Sequence, residues 1–220
     1  LRSSSSVRLS ATALIVACLF VENFVFSADF SVLGFREVDD VAFQVSLRNA
    51  HQAIHAGRLD KLFSLNDYAY GWVFWAPMVV ATYPLFLISQ WFAVDWPLIV
   101  FPRQVSLLFA VLSLVFMRRV LRQLDVPEWG CASGVLMLAL LPTTGYFSMR
   151  FGTVNAVAFF SLLTVYLAIR HEPDIQRQAK QAALSLAVAG GIKLSGLLVA
   201  PLAFVLIMLR AKGRPFVATL

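Results

Sequence analysis

Residues 72–94, WVFWAPMVVATYPLFLISQWFAV, decide the fold of this chain, because whether they cross a membrane sets the side on which everything after them lies. The stretch is long enough to span, since about 30 Å of hydrocarbon takes ~20 apolar residues in a helix. The composition requires lipid: of 220 residues 60% are hydrophobic and 14% charged, and mean hydropathy is +0.77. A soluble domain of this size has too little interior for so much apolar surface. Spans are predicted at about 9–28, 99–117, 130–148 and 151–169, while 181–209 is too long for one upright helix and rather short for two.

Positive charge resolves both ambiguous regions. Arg2 and Arg8, then the clusters Arg118/Arg119/Arg122, Arg170/Arg177/Lys180 and Arg210/Lys212/Arg214, all belong on the cytoplasmic side by the positive-inside rule. They share a side only if 72–94 does not cross and 181–209 crosses twice, as a hairpin of 181–192 and 195–209 with Gly190-Gly191 and Lys193 at its outer tip. The inside then holds 11 of the 18 Lys and Arg with four acids, and the outside seven with eight acids. The expectation is an all-α polytopic transmembrane bundle of six spans in a single module, 1–220, with one large outer loop at 29–98. Within that loop, 72–94 is an interfacial or re-entrant element. Pro77 and Pro84 would break an ideal span, and Trp72, Trp75, Trp91 and Trp96 sit near its ends, where indoles favour the headgroup layer.

The formal net charge of +6 does not point to nucleic acid, because the basic residues fall in short clusters between apolar runs. Cys18 and Cys131 both lie in apolar runs, where a thiol packs as a small hydrophobe rather than a metal ligand or half of a disulfide. The first residues, LRSSSSVRLS, lack an initiator Met, and the chain stops at Leu220 shortly after a basic cluster; it reads as part of a longer protein. Residues 9–28 show no small-x-small cleavage site and read as an uncleaved anchor. Glu22, an acid in the outer part of that span, is either a site residue or the end of the helix.

The outer loop opens with an acidic pair. Residues 39–57, DDVAFQVSLRNAHQAIHAG, read as an amphipathic helix. At about 100° per residue Asp40, Gln44, Arg48, His51 and His55 fall within roughly 80°, with Phe43, Leu47, Ala50 and Ile54 on the neighbouring arc. Such a helix lies along the bilayer with its polar stripe toward water or a cleft. His51 and His55, four apart, have no evident third partner for a metal. On residue type alone Asp39 and Asp40 are either caps that complement the helix dipole or catalytic carboxylates.

Several stretches together resemble one known group of enzymes. Glu37-Val38-Asp39-Asp40-Val41-Ala42-Phe43, followed by Leu47-Arg48-Asn49-Ala50 and Ala56-Gly57-Arg58-Leu59, resembles the first outer loop of the polytopic GT-C glycosyltransferases, which include protein O-mannosyltransferases and the aminoarabinose transferase of lipid A. Tyr68-Ala69-Tyr70-Gly71-Trp72 is similar to the start of that group's juxtamembrane aromatic segment, Phe101-Pro102-Arg103 to the start of its second span, and Gly190-Gly191-Ile192-Lys193-Leu194-Ser195-Gly196 to its later Gly-Lys-Gly hairpin. The resemblance runs in order through nearly the whole chain and agrees with the topology reached from charge.

The resemblance implies a GT-C-like bundle that moves a sugar from a polyprenyl-phosphate carrier to a lipid, glycan or protein acceptor at the outer face, with inversion. It implies that Asp39, with Asp40 beside it, takes the proton of the acceptor, a poor nucleophile until a carboxylate removes it. The lipid phosphate leaves with charge that cations must stabilise. Arg103, Arg150 and Lys193, each at an outer end of a span, are the candidates; snorkelling to the interface is their other role. Tyr70 and Asn155 complete the candidate substrate-binding set. Asn155 marks a departure, since the group often carries an acid in the second outer loop. An amide accepts hydrogen bonds but brings no charge, and no metal or other cofactor is assigned. The implied setting is a bacterial or archaeal plasma membrane, active face outside. The competing readings are a transporter, with Glu22, Arg150 and Lys193 along its path, and a non-catalytic membrane assembly protein. No internal repeat of the kind transporters show is evident.

Overall fold

Long apolar runs bounded by charge or glycine build helices in lipid because only hydrogen bonds within the segment satisfy the backbone there. The computed structural model describes residues 21, 38–64, 71–93, 96–140 and 152–211, and the described segments are helical apart from short turns. In chain order these are α1 (Val38–His55), a 3-10 helix (Leu59–Ser64), α2 (Trp72–Phe92), α3 (Trp96–Gln123), α4 (Glu128–Leu140), α5 (Val154–Ile169), α6 (Ile175–Ile192), a second 3-10 helix (Leu194–Val199) and α7 (Ala200–Ala211). Among the described residues three stretches are long and apolar enough to cross a membrane: α2, α3, and Leu194–Ala211. Helices α4 and α5 are apolar but shorter. The expected span at 9–28 lies outside the described residues.

Side-chain pairs give the relative directions. Helix α3 runs parallel to α5, since Ser106 meets Gly152 and Asn155, Phe109 meets Phe159 and Phe160, and Phe116 meets Tyr166. Helix α6 runs antiparallel to α5: Gln178 Nε2 donates to the carbonyls of Leu167 and Ala168, and Ser185 Oγ to that of Phe160. Asp174 starts α6 by accepting the backbone N–H groups of Gln176 and Arg177 at 2.9 and 3.1 Å. Replacing it with Ala is expected to cost about 1 kcal/mol, as for other helix N-caps, measured as a lower unfolding midpoint in detergent.

The expected break near Gly190-Gly191 is present. Helix α6 ends at Ile192, Lys193 is extended (φ −158°, ψ 136°), and the chain doubles back. Gly196 lies directly on the carbonyl of Ala189, where a Cβ would not fit. Helix α7 returns along α5, and Arg210 reaches the carbonyls of Ile169 and Glu172 at 3.4 and 3.1 Å. One end of the bundle therefore gathers Arg118, Arg122, Arg170, Arg177 and Arg210, with Arg118 and Arg122 paired to Glu128 at the start of α4. Arg122 first and Arg118 second hold the Glu128 carboxyl below its ordinary range. Lys193 lies at the opposite end. Cys131 is fully buried, its Sγ 3.3 Å from the carbonyl of Val126, and packs as a small hydrophobe.

Helix α2 differs from the sequence reading. It is one continuous 21-residue helix with Pro77 and Pro84 inside it. Both prolines are exposed, and the helix continues through them. The chain leaves it at Ala93, which takes the left-handed conformation (φ 52°). Trp72, Trp91 and Trp96 are exposed as expected of interfacial indoles, but Trp75 is 5% exposed and stacked on Phe43 at 5.4 Å. Helix α1 lies parallel to α2, pairing Phe43 with Trp75, His51 with Val79 and Thr82, and His55 with Phe86.

The two groups of helices share a core of Phe43, Leu47 and Ala50 from α1, Phe74, Trp75, Met78 and Val79 from α2, Ala156 from α5 and Ile192 from α6. Helix α2 enters that core through its first two turns only. Its partners there, Ala156 and Ile192, mark the start of α5 and the end of α6. The 28-residue α3, about 42 Å long at 1.5 Å per residue, continues from this level down the bundle to the basic end.

Candidate functional site

The first turn of α1 carries Asp39 and Asp40. Their side chains lie outside what is described, but the backbone places them one turn before Phe43, which rests on Trp75. That is the level of Gly71, whose N–H donates to the Ile192 carbonyl at 2.9 Å. Lys193 follows directly. Backbone contact is closest here: a Cβ on Gly71 would fall on the Gly191 carbonyl, and one on Gly191 would come within 2.6 Å of Val73. Glycine at both positions lets the start of α2 sit on the end of α6.

The α3–α5 crossing supplies a second polar group at this end. Asn155 is 5% exposed, and its Nδ2 donates to the Ser106 carbonyl at 3.3 Å. Gly152 N–H approaches the Ser106 hydroxyl at 3.4 Å. Arg103 lies one turn earlier than Ser106, on the same face of α3, and is only 2% exposed. A cation this buried inside an apolar helix is costly, which makes Arg103 a candidate for the site. Thr153, at the N-cap of α5, is 1% exposed, makes no capping bond with its side chain, and its hydroxyl has no partner among the described residues. The free N–H groups of that helix start favour an anion.

The fold thus brings Asn155 into contact with the segment carrying Arg103. It sets Lys193 and the backbone of Asp39 and Asp40 at the same end, through the Ala156–Ile192 packing and the α1–α2 pairing. Tyr70, Arg150 and Glu22 lie outside the described residues. The reading of the sequence missed Ser106, Thr153 and Gly71. Thr153 carried a signal, a hydroxyl residue two before Asn155 at a helix start. Ser106 carried only its i, i+3 spacing from Arg103, and Gly71 only its place in the stretch 68–72, which gave no hint of its contact with Gly191.

His51 is a correction. It does not sit on a solvated polar stripe but is 0% exposed. Thr82 Oγ1 donates to the Met78 carbonyl at 2.6 Å, so the hydroxyl can only accept from His51 Nε2, 3.1 Å away. Nε2 also lies 3.0 Å from the Val79 carbonyl. Nε2 therefore carries the proton and is committed to α2, while Nδ1 has no partner among the described residues. The angular reading explains why: His51 falls at about 20° from Asp40, on the side of the stripe next to Leu47. Arg48 and His55 are exposed as expected.

Burial holds the His51 imidazole below its ordinary value, the bond to Val79 opposing only in part. In the unfolded chain it titrates near pH ~6.5, so as pH falls through that value the unfolded state takes up the proton first and the fold loses stability. The contribution is complete above pH ~6.5. The unfolding midpoint is expected to drop between pH 7.5 and pH 5.5, and His51→Gln should flatten that dependence. Compared with family models, curated proteins and solved structures, the chain matches none of them.

Proposed function

We propose that this chain is the catalytic membrane part of a glycosyltransferase that takes a sugar from a polyprenyl-phosphate carrier and passes it to an acceptor at the outer face of the membrane. The observation that carries the reading is the gathering, at the end of the bundle opposite its basic clusters, of a buried cation, a helix start and an acidic helix turn: Arg103, the Thr153–Asn155 start of α5, and the Asp39-Asp40 turn of α1. Transfer from a lipid phosphate needs these parts near one another. Asp39 is the base that takes the acceptor proton as the oxygen or nitrogen attacks the anomeric carbon. Arg103 and Lys193, with the α5 start, hold the phosphate as the carbon–oxygen bond to it breaks and the charge passes to its oxygens. The sugar leaves inverted and the polyprenyl phosphate stays in the membrane.

The test is Asp39→Asn in the full-length protein, in membranes supplied with candidate polyprenyl-phosphate sugars, with transfer followed by release of the lipid phosphate. Transfer at the unsubstituted rate would end the proposal.

A further inference from the structure

Between α5 and α6, away from the site above, runs an open groove of about 310 Å³. Its walls are Phe160, Leu163 and Leu167 on one helix and Leu184 and Val188 on the other, each series at helical spacing. The two hydroxyls beneath it are turned inward: Thr164 and Ser185 both lie within hydrogen-bond distance of the Phe160 carbonyl and are 3.0 Å from each other. The groove therefore offers hydrocarbon along its length and few bonds to a peptide.

Its end is different. Arg170 and Gln181 close the groove at the end where the basic clusters gather. Arg170 Nη2 donates to Glu172 at 3.0 Å and to Gln181, while its Nε is buried with no partner among the described residues. Arg177 and Lys180 stand exposed on the first turns of α6, and Arg210 reaches the same corner. Against these cations stand Glu172 and Asp174, the latter engaged in capping α6. An apolar trough that ends at an excess of positive charge complements one kind of occupant, a hydrocarbon chain with an anionic head. From Phe160 to Arg170 the trough is about 15 Å long at 1.5 Å per residue, the scale of an acyl chain within one leaflet.

We propose that this groove binds an anionic phospholipid, one acyl chain lying between α5 and α6 and the phosphate seated against Arg170. A phosphate at that corner lies near the exposed Arg177 and Lys180 as well as the Arg170 guanidinium, and basic surfaces at the cytoplasmic ends of spans attract such lipids. The site is independent of the transferase reading and stands or falls separately from it.

The test uses the full chain in neutral detergent, titrated with phosphatidylglycerol, with phosphatidylcholine and with inorganic phosphate, and followed by native mass spectrometry and thermal unfolding. Phosphatidylglycerol is expected to remain bound and raise the unfolding temperature, while the other two do neither. Leu184→Trp, at a side chain 68% exposed, fills the trough without touching the charges. It should remove the bound lipid with the helical signal and elution volume unchanged. Arg170→Gln should weaken phosphatidylglycerol by about fivefold, as expected for one cation at a charged interface. If that variant does not fold, Leu184→Trp decides alone. Equal retention of both lipids, retention by Leu184→Trp, or stabilisation by inorganic phosphate alone would each overturn the assignment.

Discussion

Asp39→Asn is expected to lower sugar transfer by roughly 100- to 10,000-fold, the range over which a positioned acid or base contributes, while leaving the helical content and detergent elution unchanged. The substitution keeps the shape and hydrogen-bonding capacity of the side chain and removes only its ability to hold a proton. Position 39 lies in the first turn of an 18-residue helix, where losing the carboxylate charge costs only about 0.3–1 kcal/mol of interaction with the helix dipole. A purely capping Asp39 would therefore show a small stability change and full activity. Asp40→Asn separates the pair: as a neighbour that adjusts the local charge it should reduce transfer much less. Arg103→Gln gives the complementary result if Arg103 stabilises the departing phosphate, a loss that grows as the leaving group becomes more basic. A loss independent of the leaving group would assign Arg103 to structure instead.

The second large effect is structural. Gly71→Ala is expected to destabilise the protein by about 3 kcal/mol, the upper part of the range for forcing an added carbon into a packed site. The added carbon would fall on the Gly191 carbonyl, backbone that cannot turn aside as a flexible side chain would. Moving α2 away also strains the Gly71 N–H bond to Ile192 and opens the core around Trp75 and Ile192. Gly57→Ala is the control. Gly57 has a φ of 68° and open space around it, so the change costs only the left-handed penalty of about 1 kcal/mol. Chemical unfolding in a mild detergent measures both. A loss at Gly71 no greater than at Gly57 would mean that the start of α2 is not held against α6. Because this contact also holds the end of α6 that precedes Lys193, Gly71→Ala should reduce transfer, if the proposed function holds, even at temperatures where the protein stays folded.

Most of the helices were legible from hydropathy and charge. The run at 99–117 lies inside α3, that at 151–169 overlaps α5, and the break before Lys193 was announced by Gly190-Gly191. The gathering of Arg118, Arg122, Arg170 and Arg210 at one end was implied by their spacing between apolar runs. The apolar arc of α1 was legible too, with Phe43, Leu47 and Ala50 buried as its periodicity requires.

Other features had no local signal. Pro77 and Pro84 argued for a break, yet α2 continues through both, the surrounding turns of a 21-residue apolar helix outweighing the local cost of each proline. Trp75 looked like an interfacial indole until Phe43 covered it. His51 is polar by type but sits at the margin of the apolar arc, and it is buried because Val79 and Thr82 present the two oxygens its Nε2 needs.

The sequence by itself determined that this is a helical chain suited to lipid, roughly where several of its helices lie, and which end of the bundle collects positive charge. These are consequences of solvent: apolar length and the cost of placing charge in hydrocarbon act residue by residue, whatever the neighbours. Tertiary structure alone decided that α1 lies parallel to α2, that the first two turns of α2 enter the core shared with α5 and α6, and that Gly71 meets Gly191 backbone to backbone. It also decided that Ser106 and Thr153 stand beside Asn155 and the turn that bears Arg103. Those facts depend on which surfaces fit without a void or a clash. Fit is a property of pairs of helices far apart in the chain, which no single stretch of sequence encodes.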